Sequence, residues 1–306
     1  MSGLSLSGLI PAVITPFAGD ERVDYSAWQA LLESLAATGV DGLLIHGHEG
    51  EWWALSEEER VVGMRYCLQS VGGRKPLLIN VGAQTTGESV RLAHAAEAEG
   101  LGMLVVTAPS AIPVSPEEFT SHLLEICGSV RIPVLVYRRP GDLTPDAAQR
   151  LAAETENFAG VIDAGTGLGA LRTWRDAAAR PISVFTAADG IVRDAIASGA
   201  DGAVVAGAGL APEMYAELVR AAHAGRLDDA ARLQELAAPL AALFAVYPPA
   251  LVLKETLRLA GIAGGACRRP LSAISGESLD QVSAVVARLR EERCLPESAA
   301  PAGNAA

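Results

Sequence analysis

Lysine is almost missing from this sequence: its 306 residues hold only Lys75 and Lys254, and arginine carries nearly all of the positive charge. Lys and Arg together number 24 against 36 acidic residues, giving a formal charge of -12. Phosphate binding needs clustered basic side chains, so this deficit argues against a nucleic-acid partner. Cysteine is scarce as well. The four, at 67, 127, 267 and 294, lie far apart with no Cys-x-x-Cys pair, which argues against a cysteine zinc site and suits reduced thiols. No uninterrupted apolar run reaches membrane-spanning length, and residues 1–8 have neither the basic start nor the apolar core of a signal peptide. The expectation is a cytoplasmic protein that meets a small-molecule substrate, with no nucleic-acid or membrane partner.

What the chain does have is apolar bulk and a rhythm. Half of its residues are hydrophobic and 20% charged, enough to bury a large core without disulfides or metals. Short apolar runs, expected as strands, fall at residues 9–15, 42–46, 77–81, 103–107, 134–137, 160–163, 182–186 and 203–206. Amphipathic stretches, expected as helices, separate them at 26–37, 56–71, 87–99, 116–127, 145–153, 168–178, 190–197 and 212–222. Ser56 with Glu59 has the spacing of a capping box, and Pro116, Pro145 and Pro212 each open a helix. Eight βα units close a (β/α)8 TIM barrel, whereas an open doubly wound sheet usually stops short of eight strands. Residues 1–224 are therefore read as the barrel. Residues 225–295 are read as a C-terminal helical extension with helices at 227–246, 249–260 and 279–292. Residues 296–306, rich in Ala, Pro and Gly, are expected to be a disordered tail.

Chemistry concentrates in residues 41–53, where the apolar run Leu43, Leu44 and Ile45 breaks into His46, Gly47, His48, Glu49, Gly50 and Glu51. Side chains alternate along a strand, so Leu44, His46 and His48 are expected to share the barrel's inner face, at the C-terminal end where such barrels keep their catalytic groups. Two imidazoles on one face, with Glu49, Glu51 or Asp163, are a possible divalent-metal site, against the plainer reading of a hydrogen-bonded pair. Glu49 at a barrel mouth suits a general base whose pKa is raised by partial burial. Tyr137 and Asp163 end their strands. Asp189 follows another and is read first as a helix N-cap.

Several stretches together resemble the dihydrodipicolinate synthase and N-acetylneuraminate lyase family of class I aldolases. Residues 8–17, with Pro-Ala-Val-Ile-Thr-Pro-Phe from Pro11, are similar to the family's first strand. Residues 39–43 are similar to its second, residues 47–51 to its Gly-Thr-Thr-Gly-Glu loop, Tyr137-Arg-Arg-Pro-Gly to its Tyr-Asn-x-Pro-Gly, and residues 248–257 to its post-barrel helix. The resemblance implies a lyase, a homo-oligomer (dimer or tetramer), and Tyr137 as the proton-carrying tyrosine. It also implies a Schiff-base lysine within a Gly-x-Lys-Asp phrase, but this chain reads Gly160-Val161-Ile162-Asp163. The two threonines that bind a keto acid's carboxylate are matched by His48 and Glu49, the tyrosine pair after strand four by Pro109 and Ser110, and an arginine by Asp142. A fixed carboxylate at 49 repels a substrate carboxylate, which makes pyruvate a poor candidate.

The leading expectation is acid/base chemistry on a small carbonyl or hydroxylated metabolite, without a cofactor. Glu49 or His48 is the base, Tyr137 the acid, and His46, Asp163, Arg138, Thr107 and Asp189 are substrate-binding. Two alternatives stay open: a metal-dependent aldolase built on His46, His48 and Glu49, and a noncatalytic ligand-binding or scaffold homologue.

Overall fold

The computed structural model describes residues 6–296, so the expected tail lies outside the described residues from 297 onward. Eight parallel strands run in the order β1-β8-β7-β6-β5-β4-β3-β2. They are β1 (Gly8–Pro11), β2 (Leu43–Ile45), β3 (Leu77–Asn80), β4 (Met103–Thr107), β5 (Val134–Arg138), β6 (Phe158–Asp163), β7 (Ser183–Thr186) and β8 (Gly202–Val205). The two ends meet where Ala12 bridges Leu44 and the Val13 N–H donates to the Leu44 carbonyl at 2.8 Å, closing a (β/α)8 TIM barrel. β1 is shorter than expected: its ladder with β8 stops at Pro11, and one bridge to β2 carries the chain onward.

The eight outer helices are α1 (Tyr25–Ala36), α2 (Glu57–Val71), α3 (Thr86–Ala98), α4 (Pro116–Ser129), α5 (Pro145–Glu154), α6 (Leu168–Ala177), α7 (Val192–Ala197) and α8 (Pro212–His223). Their starts are set locally. Ser56 and Glu59 exchange side-chain and backbone hydrogen bonds in a capping box, Ser115 and Glu118 do the same, and proline stands in the first turn of α4, α5 and α8. Three further helices follow, α9 (Leu227–Val246), α10 (Pro249–Ala260) and α11 (Glu277–Glu291), with α9 lying along α7 and α8. None of the described helices is long and apolar enough to cross a membrane.

The strands sort their side chains by parity. Ile10, Leu44, Leu78, Val105, Leu135, Ile162, Phe185 and Val204 pack in one cluster inside the barrel. Leu43, Ile45, Ile79, Val106, Val136, Val161 and Val184 join the larger cluster between strands and helices. This period of two decides which residues at the strand ends face the mouth and which face the helices.

Candidate active site

The loop after β2 turns on two residues in left-handed backbone, His46 (φ 56) and Glu51 (φ 52). Gly50 between them leaves no room for a side chain: a Cβ there would meet the His46 backbone nitrogen at 3.1 Å and the Val13 carbonyl at 3.2 Å. Glu51 anchors the loop from below. Its carboxylate is fully buried and accepts from Lys254 Nζ on α10 and from the Arg268 backbone N–H at 3.1 Å. With both loop ends fixed, His48 and Glu49 are held over the barrel interior.

There they line a small cavity with Asn80, Thr107, Tyr137 and the apolar walls of Leu44, Val105 and Val204. Its enclosed volume is about 10 Å³, room for about one water-sized group. The His48 ring lies 5.3 Å from the Tyr137 ring and 5.8 Å from that of Trp53, which is 45% exposed at the rim. Burial pushes the Glu49 carboxyl up to about 7, and the charge of Asp189 adds to the rise. Burial pulls the His48 imidazole down to about 4, helped by the Arg139 guanidinium, so at neutral pH it is uncharged. The Tyr137 hydroxyl is raised above the ordinary phenol range, first by burial and then by Glu49, and stays protonated.

Asn80 is a pocket residue that the sequence reading missed. Its side-chain N–H donates to the His46 carbonyl at 2.9 Å, and its amide oxygen accepts from the Gly82 N–H at 3.0 Å, tying the ends of β2 and β3 together. Behind it the buried Arg60 guanidinium donates to the carbonyls of Asn80 and Gly82 at 2.5 and 2.9 Å. The signal was available: Asn80 is the polar residue in an apolar run, two positions after the inward Leu78.

With this geometry in hand, comparison with known proteins gives one family. The dihydrodipicolinate synthetase family model matches residues 5–289. The chain belongs to that family. It is 33% identical over 285 residues to the Escherichia coli (strain K12) "Probable 2-dehydro-3-deoxy-D-pentonate aldolase YjhH", covering 90% of this chain and 95% of that one. It is 30% identical over 284 residues to the 4-hydroxy-tetrahydrodipicolinate synthase of Gluconacetobacter diazotrophicus, covering 91% and 95%. Among solved structures it is similar to YagE of E. coli K12, a family prophage protein crystallised with pyruvate, at a TM-score of 0.87 and 27% identity over 95% of this chain and 99% of that one.

For a member of the dihydrodipicolinate synthetase family, the place of Ile162 is notable. It is fully buried inside the barrel, next along the strand to the outward-facing Asp163. Both lysines are engaged elsewhere. Lys75 precedes β3 and donates to the Val40 carbonyl at 2.7 Å, and Lys254 is buried against Glu51 and the Ala266 carbonyl.

Three expectations about this site need correction. His46 does not share a face with His48: β2 ends at Ile45, and the left-handed backbone at 46 swings the imidazole outward between the helices. It packs there 5.8 Å from the Trp28 ring and against Gly63, with both ring nitrogens unpartnered and its pKa held well below the usual value by burial. Asp163 and Arg138 also point outward by strand parity. They form a buried ion pair at 2.7 Å that the Trp174 indole N–H joins at 2.7 Å. Asp189 is no helix cap, since α7 begins at Val192. Its carboxylate instead accepts from the Gly207 N–H and the Tyr215 hydroxyl, both at 2.8 Å, and is pushed by burial up to about 6. With His46 turned away, the three ligands of the metal reading do not assemble, and no group of three or more His, Cys, Asp or Glu suited to a metal occurs among the described residues.

Proposed function

We propose that this protein is a lyase of its family that works by acid/base chemistry on a small carbonyl or hydroxylated metabolite, without a lysine Schiff base. The observation that carries the reading is the exchange of partners at the barrel mouth. Ile162 packs in the interior where the resemblance implies a lysine, and Glu49, His48 and Tyr137 line the cavity instead. Isoleucine has no nucleophile, so a covalent iminium has no amine to form on.

Of the two candidate bases, Glu49 is the better matched. A base works best with a pKa near the working pH, and Glu49 at about 7 meets this, whereas His48 at about 4 is too weak. Tyr137, held protonated, donates to the substrate oxygen on which charge develops. Asp189 raises Glu49 electrostatically from behind, and Gln234 on α9 fixes Asp189 by donating to its carbonyl at 2.8 Å. A homo-oligomeric, cytoplasmic protein belongs to the same proposal, and light scattering of the purified protein measures its first half.

A second reading, a noncatalytic binding protein, is favoured by the apolar Ile162 inside the barrel, where the resemblance implies a lysine. The experiment that separates the two is a thermal-shift and turnover screen of hydroxycarbonyl compounds and sugar-derived acids on wild type and Glu49→Gln. The proposal expects a turned-over hit whose rate falls about 10²-fold or more in the variant. Equal stabilisation of both proteins with no turnover supports the noncatalytic reading. Pyruvate with borohydride is expected to leave the protein's mass unchanged, and an adduct on Lys75 or Lys254 refutes the lysine-free mechanism.

A further inference from the structure

Resting on Glu49 as the working carboxylate, we infer that the ligand is an uncharged hydroxycarbonyl compound whose hydroxyl enters the inner end of the cavity, and that its carboxylate analogue is rejected.

Asn80 and Thr107 turn polar groups back onto the protein. The Asn80 amide N–H is spent on the His46 carbonyl and its oxygen on the Gly82 N–H, while the Thr107 hydroxyl leans toward that same oxygen at 3.4 Å. What is left open is mostly acceptor. The one donor acting on the Glu49 carboxylate is its own backbone N–H, and the neutral His48 ring adds one acceptor nitrogen and one N–H donor. Tyr137 alone supplies a free O–H at the cavity wall.

Cations near the mouth are committed or turned away. Arg138 is bound to Asp163, Lys254 to Glu51, and Arg60 to two backbone carbonyls on the far side of Asn80. Arg139, exposed on the rim, is paired with Asp142 at 3.0 Å. No lysine or arginine lines the cavity. A carboxylate there would meet an ionised Glu49 with no cation between them, in a site where charge is poorly screened.

A hydroxyl fits both tests. It donates to Glu49, accepts from Tyr137, and fills the space of one water, which a three-atom carboxylate exceeds. The half-exposed Trp53 beside His48 then covers the apolar C–H face of the ligand at the rim.

The test uses size-matched pairs differing in charge: dihydroxyacetone against glycerate, and erythrulose against erythronate, bound to wild type at alkaline pH and followed by calorimetry. The neutral member is expected to bind at least about tenfold tighter. Equal or tighter binding of the acids, or no binding of either neutral compound in the millimolar range, overturns the inference, and this holds without any variant. Glu49→Gln, checked for folding by circular dichroism, is expected to bring the acids within about threefold of their partners. If the acids win in wild type while Glu49→Gln still abolishes turnover, the ligand class falls and the role of Glu49 stands. If the neutral preference survives Glu49→Gln unchanged, the role of Glu49 falls and takes the inference with it.

Discussion

Two glutamates of one loop, two residues apart, have opposite surroundings. Glu51 is fully buried and saturated: Lys254 and the Arg268 backbone meet its oxygens, and the Lys254 ammonium also sits 4.4 Å from the Phe17 ring. Glu49, over the cavity, has no cation and only its own N–H, and burial drives it toward the protonated state. The two neighbouring carboxylates thus divide into one that is fully buried, satisfied and holds the loop, and one that is half-buried over the cavity and left without a cation. Buried charge without a partner is costly, so its persistence is a better pointer to function than burial alone.

The comparison is broken most severely at the satisfied member. Lys254→Met leaves Glu51 charged and unpaired, and is expected to destabilise the protein by about 3–5 kcal/mol in chemical denaturation. A loss below about 1 kcal/mol shows that the loop is held by other contacts.

At Glu49 the sign reverses, and pH exposes it. A carboxyl raised from 4.5 to about 7 in the folded state favours folding fully below 4.5, and this contribution is lost as pH climbs through 7. Wild type is therefore expected to lose stability between pH 5 and 8 relative to Glu49→Gln, by about 1–3 kcal/mol, the range allowing for partial solvent access. Asp189, raised to about 6, leaves part of the slope in the variant. Parallel pH profiles of the two proteins contradict the account.

His48 sharpens the contrast on the acid side. Its depressed pKa of about 4 gives stability that is present above 6.5 and lost as pH falls toward 4. His48→Gln is expected to flatten that acid limb by about 1–3 kcal/mol. The smallest effect belongs to the rim. Arg139→Gln breaks only an exposed pair with Asp142 and is expected to change stability by less than about 1 kcal/mol, read from denaturation midpoints.

How far the sequence could be read follows from where local rules hold. The eight βα units were legible because capping boxes, first-turn prolines and apolar runs are local signals, and element ends shifted by only a few residues apart from β1. His48, Glu49 and Tyr137 were legible as polar residues at strand ends. The parity of β5 and β6 by itself separates Arg138 and Asp163 from Tyr137 and Ile162. For His46 strand parity fails one residue past the end of β2, because nothing in the sequence marks that non-glycine residue as left-handed. Asp189 looked like a cap for the α7 turn, and its acceptance from Gly207 and Tyr215 depends on chain folded back from 18 and 26 residues away. Contacts of that range are set by the closed barrel and leave no local trace.

The most direct measurement is the titration of Glu49 itself, by carbon NMR of its side-chain carboxyl with Glu49→Gln as the assignment control. The account predicts a midpoint near 7, well above the ordinary 4.5. A midpoint at or below 4.5 means that the Glu49 carboxylate is well satisfied where it stands, and contradicts its role as the base of the site.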